Sequence, residues 1–188
     1  MVPSELMRKL VDLLESRQIR YFIVGSMATI TFGDPRFTND IDVVVALPAG
    51  EIDAFCGAFS PPEYYCSRDA AVQAVKQRFQ FNVIHSQSGL KIDVIIPEDS
   101  DFNRSQFARC VRVVAADAKE AWFASPEDVI IKKMEYYKEG QSEKHVRDIV
   151  GVLRVVAEKL DRAYITLWAE RLQLTDIWRD IQERAAKS

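Results

Sequence analysis

The spacing of hydrophobic and polar positions splits the chain into a first part where short strands and helices alternate and a last part that is helical throughout. Over residues 3–17, Leu6, Leu10, Leu13 and Leu14 recur on one stripe, which predicts an amphipathic helix with Ser4 as its cap. Short apolar runs predict strands over 19–24, 41–47, 79–85, 90–96 and 110–115. Between them lie shorter helical patterns over 27–32, 51–59 and 70–77 and a helical turn over 102–107. The Gly33-Asp34-Pro35 turn and the Ser86–Gly89 hairpin punctuate this part, and Pro61-Pro62 ends the third helix. At Ser125-Pro126-Glu127-Asp128 a capping serine, a proline at the first helical position and two acids announce a change. From there four helices are predicted, over about 126–138, 143–158, 162–172 and 175–186, with Asp161 and Thr175 as caps. The expected fold class is α+β. Residues 1–124 form a core with a small mixed, mostly antiparallel sheet and helices on one side, and residues 125–188 form a helical subdomain packed on it.

Composition narrows the function classes. The 188 residues are 48% hydrophobic and 28% charged, ordinary for a globular protein, and the net charge is −3. A mildly acidic chain disfavours a protein that coats nucleic acid with its whole surface. No apolar run reaches membrane-spanning length, so no membrane association is expected. The cysteines Cys56, Cys66 and Cys110 lack metal-site spacing and read as reduced thiols of a cytoplasmic protein.

Chemistry concentrates in three places. Asp40 and Asp42 stand one residue apart on a predicted strand, so their side chains share a face while Ile41 points into the core. Two like charges held side by side call for a cation, most simply a divalent metal. Asp93 is a third acid embedded in an apolar strand, Lys91-Ile92-Asp93-Val94-Ile95-Ile96. Gly25-Ser26 lies at a strand-to-helix turn, where free N–H groups and the positive end of the helix dipole favour phosphate. Three acids on two strands with a phosphate-type turn suit two-metal phosphoryl chemistry, and one acid can also take a proton from the attacking hydroxyl.

Other residues carry two readings each. Lys133 falls near the centre of the apolar arc made by Val129, Ile130, Met134, Tyr136 and Tyr137. It either reaches a phosphate or is a snorkelling or salt-bridged core lysine. Arg36 either clamps a phosphate oxygen or is a solvated loop residue. Asp148 is explained by an ion pair with Lys144 four residues earlier. His85 and His145 read as structural. Trp122, Trp168, Trp178 and Tyr164 read as packing anchors of the helical part, and Lys132, Lys138, Lys144 and Arg147 as a solvated helix surface rather than an acceptor-binding patch.

Gly25-Ser26, Asp40-Ile41-Asp42 and the later Asp93 together resemble the polymerase-β-like nucleotidyltransferase superfamily. Arg36 and Thr38 before the acid pair, Lys133-Met134, and Asp148 within Lys144-His145-Val146-Arg147-Asp148-Ile149 further resemble its small prokaryotic branch, which includes MNT-type proteins and AbiEii-type toxin transferases. The resemblance spans about residues 19–155. It implies transfer of a nucleoside monophosphate from an NTP such as ATP to an acceptor hydroxyl on tRNA, a protein or a small molecule. It assigns metal binding and catalysis to Asp40, Asp42 and Asp93, with two Mg²⁺ ions, replaceable by Mn²⁺. Nucleotide binding falls to Gly25, Ser26, Arg36, Lys133 and Asp148. A toxin–antitoxin role and a partner protein or second copy of the chain are further implications. The alternative is a non-catalytic nucleotide-binding, antitoxin or regulatory module. All three acids are intact, which favours the enzyme.

Overall fold

The computed structural model describes residues 1–114 and 120–186. Contacts divide the chain into two compact units. The first comprises Met1–Met27 and Phe37–Phe123, and the second Ala28–Arg36 and Ala124–Ser188. The sequence predicts one cut after residue 124. In the structure the units are discontinuous, because the segment Ala28–Arg36 groups with the C-terminal helices.

The first unit is built on a mixed sheet, seven-stranded among the described residues. Its strands are β1 (Tyr21–Ile23), β2 (Asp40–Val45), β3 (Tyr64–Cys66), β4 (Gln80–His85), β5 (Lys91–Ile95), β6 (Val111–Val114) and β7 (Glu120–Phe123), in the order β3-β4-β5-β2-β1-β7-β6. Four of the neighbouring pairs are antiparallel, and β2–β5 and β1–β7 are parallel. The sheet is therefore mostly antiparallel, as the sequence predicts.

The two central strands β2 and β5 share a simple pattern. Ile41 pairs with Ile92 and Val43 with Val94, and all four are fully buried. Each such side chain contributes roughly 1.5–3 kcal/mol by leaving water. Asp40, Asp42, Lys91 and Asp93 take the alternate positions and the opposite face. A slip of one residue would bury the acids and expose the apolar set, so hydrophobic burial fixes the register that places the charges.

Helices α1 (Pro3–Ser16), α3 (Ile52–Ala58), α4 (Arg68–Gln77) and α5 (Asp101–Arg109) complete this unit. Helix α1 buries Leu6, Leu10 and Leu14. Its cap is Val2, whose backbone N–H donates to Glu5 at 2.9 Å, rather than the predicted Ser4. Ser67 and Ser100 cap α4 and α5 through their hydroxyls. The predicted turn over 102–107 is a full helix because Ser100 moves its start forward. The short strands β3 and β7 escape a periodicity argument, since three or four residues hold too few alternations. The predicted strand 110–115 corresponds to β6, and its last residue, Ala115, lies outside the described residues. Cys56 and Cys66 are free thiols with sulfurs 3.5 Å apart, and burial first of all pushes the Cys66 thiol up to about 12.

The second unit holds α6 (Pro126–Gly140), α7 (Glu143–Val156), α8 (Arg162–Arg171) and α9 (Thr175–Ala186). Ser125 caps α6 and Asp161 caps α8. Thr175 is the first residue of α9 rather than its cap. Trp168 and Trp178 are buried, and Tyr164 donates its hydroxyl to the fully buried Asp128 at 2.8 Å. The expectation of a helical anchor fails for Trp122, which lies on the sheet strand β7 (Glu120–Phe123), ahead of the Ser125 cap where these helices begin. Residues 28–36 approach α7 closely. A Cβ on Gly33 would meet the Val152 nitrogen at 3.0 Å, and one on Gly151 would meet Asp34 Oδ2 at 3.0 Å. Hydrogen at both positions lets loop and helix pack, which explains why this segment belongs with the helices.

Candidate active site

The acid cluster follows from the β2–β5 pairing. Asp42 stands directly opposite Asp93 across the parallel pair, and Asp40 stands opposite Lys91. All four side chains share one sheet face. Two carboxylates about 5 Å apart repel by roughly 3 kcal/mol at an effective dielectric of about 20. The structure supplies part of the compensation itself. Lys91 Nζ lies 2.8 Å from Asp93 Oδ2. With its amide nitrogen turned toward the acid, Asn82 on β4 donates to Asp93 Oδ1 at 2.8 Å. The hydrogen bond to Asp93, with attraction from Asp93, Asp40 and Asp42, raises the Lys91 pKa against the lowering effect of burial.

Gly25 adds the fourth side of the cluster. It opens helix α2 (Gly25–Phe32), two residues before the predicted start, with φ +61°. A Cβ there would lie 1.9 Å from Asp42 Oδ2 and 2.9 Å from Asp42 Cβ. Only glycine accepts both this backbone conformation and this approach. Gly25→Ala is expected to cost about 1–3 kcal/mol and to turn the Asp42 carboxylate off the acid face. Thermal denaturation beside a divalent-cation titration checks both; a variant as stable as wild type with unaltered cation affinity would contradict the contact.

The donor set fits a divalent cation. Carboxylate oxygens are what Mg²⁺ takes, and the missing side chain of Gly25 leaves room at Asp42 Oδ2. Three carboxylates and one ammonium carry a formal charge of −2, which one divalent ion would neutralise. Among the described residues, however, no three Asp, Glu, His or Cys side chains converge as a ready-made ligand set. Lys91 is a cation that stands among these acids.

Arg36, Lys133 and Asp148 come together in the second unit. Lys133 Nζ lies 2.7 Å from Asp148 Oδ2, with side chains only 6% and 9% exposed. Arg36 Nη2 donates to the same oxygen at 3.4 Å, and its Nε lies 3.4 Å from Oδ1. The pairing of Asp148 with Lys144 expected from the sequence is not the one formed. Lys133 wins because it projects from α6 into the buried space where Asp148 sits, whereas Lys144 stays exposed. Burial first, then the Lys133 ammonium, depresses the pKa of His145, whose Nδ1 is buried without a hydrogen-bond partner among the described residues. Arg36, Asp148, Lys144 and Arg147 also line a cavity of about 340 Å³. Of the other basic residues, Lys132 pairs with Glu135 at 2.7 Å and Lys138 donates to the Leu172 carbonyl at 3.3 Å.

Sequence reasoning overlooked Lys91 and Asn82. Lys91 was legible, because a residue two before Asp93 on a strand shares its face. Asn82 was not, because its placement depends on the β4–β5 register.

No protein-family model matches the chain, and a search of curated proteins found no match. Solved structures do match. The lincosamide antibiotic adenylyltransferase LnuA, lincomycin-bound, is 14% identical, with 80% of this chain and 96% of that chain covered at a TM-score of 0.54. The antibiotic-resistance factor ANT(2'')-Ia in solution is 14% identical, with 97% and 94% covered at 0.51. The same protein in complex with adenylyl-2''-tobramycin is 14% identical, with 94% and 96% covered at 0.51. The chain thus has the fold of these nucleotidyltransferases.

Proposed function

We propose that the protein is a metal-dependent nucleotidyltransferase that moves a nucleoside monophosphate from an NTP to a hydroxyl of a small molecule. The observation that carries this reading is the register of β2 and β5. It sets Asp42 opposite Asp93, with Asp40 on the same face and Gly25 against Asp42. The shared fold with LnuA and ANT(2'')-Ia supports it. Those proteins' own antibiotic acceptors favour a small molecule over tRNA or protein here, and their adenylyl chemistry favours ATP as donor.

Asp40, Asp42 and Asp93 would hold Mg²⁺, two ions in this reading, with Mn²⁺ able to substitute. A cation held there supplies charge neutralisation at the reacting phosphate. The acceptor oxygen attacks the α-phosphorus, the bond from that phosphorus to the bridging oxygen breaks, and pyrophosphate leaves. Asp93 accepts the hydroxyl proton. The N–H groups that open α2 at Gly25 and Ser26 bind triphosphate oxygens. Arg36 and Lys133 enter the proposal as phosphate-neutralising cations, and Asp148 as the residue that positions them.

The test is incubation of α-labelled NTPs with Mg²⁺ or Mn²⁺ and separate pools of polyhydroxylated small molecules, tRNA and protein. Label is expected in the small-molecule pool, with ATP the best donor. Label confined to tRNA or protein would redirect the acceptor, and a toxin–antitoxin role, carried so far by the sequence resemblance alone, would then gain support. A second reading, a nucleotide-binding module that does not transfer, draws on the Lys91–Asp93 pair, which already satisfies one acid. Nucleotide binding with no label in any pool would favour it.

A further inference from the structure

We propose that Lys91 is a displaceable counter-cation that sets how tightly the acid face binds a divalent metal. The inference rests on reading Asp40, Asp42 and Asp93 as the metal site. Lys91 Nζ sits 2.8 Å from Asp93 Oδ2, and Lys91 is the register partner of Asp40. Its ammonium therefore lies on the acids' own face, at an oxygen that a metal shared by all three would need.

Two cations cannot share that oxygen without strong repulsion, so metal entry requires the ammonium to withdraw. The side chain can do so. It is one-third exposed on a flexible four-carbon stem, whereas Asp93 is only 14% exposed and is held at its other oxygen by Asn82. Asp93 thus stays aimed while Lys91 swings away. The lysine steadies the carboxylates on this face between binding events and makes them a weaker metal site than the same aspartates would be without it. Surface ion pairs are worth little, but this one faces three acids at once, and its loss leaves a formal charge of −3 on one sheet face.

The test is Mn²⁺ binding, measured by electron paramagnetic resonance or calorimetry without nucleotide, for wild type, Lys91→Met, Lys91→Gln, Lys91→Arg and Asp42→Asn. Melting curves establish that each variant is folded. Lys91→Met and Lys91→Gln are expected to bind Mn²⁺ at least about tenfold more tightly than wild type, and Lys91→Arg to stay near it. Wild-type binding that Asp42→Asn abolishes, with Lys91→Met and Lys91→Gln no tighter than wild type, would overturn the role of Lys91 and leave the metal site standing. Binding that is the same in Asp42→Asn as in wild type would overturn the metal site, and the role of Lys91 with it.

Discussion

Asp148→Ala is expected to destabilise the protein by about 3–5 kcal/mol. Asp148 is the shared acceptor for Lys133 at 2.7 Å and Arg36 at 3.4 Å, and the Lys133 side chain is 6% exposed. Truncation leaves that ammonium buried with no carboxylate, and a buried unpaired charge is the costly half of a broken ion pair. Arg36 suffers less, since its side chain is 29% exposed and can turn to water. Two controls separate the charge effect from lost packing. Asp148→Asn keeps the shape and a carbonyl acceptor and should fall between wild type and alanine. The double variant Lys133→Met/Asp148→Leu removes both charges and should recover most of the loss, because apolar replacement of a buried pair is often neutral or better. Urea denaturation gives all four values. A loss under about 1 kcal/mol for Asp148→Ala would show that the pair contributes no more than a surface contact.

Asp42→Asn is expected to lower nucleotidyl transfer about a thousandfold, equivalent to roughly 4 kcal/mol of barrier. The substitution is nearly isosteric and keeps one oxygen beside Gly25, but it removes a charge from the sheet face where Asp42 stands opposite Asp93. Like-charge repulsion with Asp93 falls at the same time, so the melting temperature should hold or rise slightly. Activity and stability thus move in different directions, which a merely structural aspartate would not produce. Transfer rates and melting curves for Asp42→Asn beside Asp40→Asn check this. A joint fall in both quantities would assign Asp42 to the framework instead.

The parts of the site that follow from alternation were legible in the sequence. Asp-x-Asp on a strand, flanked by Ile41, Val43 and Val45, leaves only one way to bury the apolar set. The helix start at Ser125-Pro126 was equally clear, because caps act locally. What was hidden depends on pairing between distant segments. That Asp42 stands opposite Asp93 is a property of register. That Lys133, rather than Lys144, meets Asp148 depends on how α6 packs on α7, which an i, i+4 rule within one helix cannot see. The association of residues 28–36 with the C-terminal helices comes from close approach at Gly33 and Gly151. Glycines in a sequence announce turns more readily than the neighbour they let in.

Nucleotidyl transfer is tested by the position of the transferred label. Wild-type protein is supplied with Mg²⁺, an acceptor pool and ATP labelled at either the α- or the γ-phosphorus. The α-label is expected to enter the acceptor while γ-label leaves as pyrophosphate, and Asp42→Asn is expected to remove the transfer. Label entering from the γ-position, or α-transfer undiminished in Asp42→Asn, would contradict these expectations.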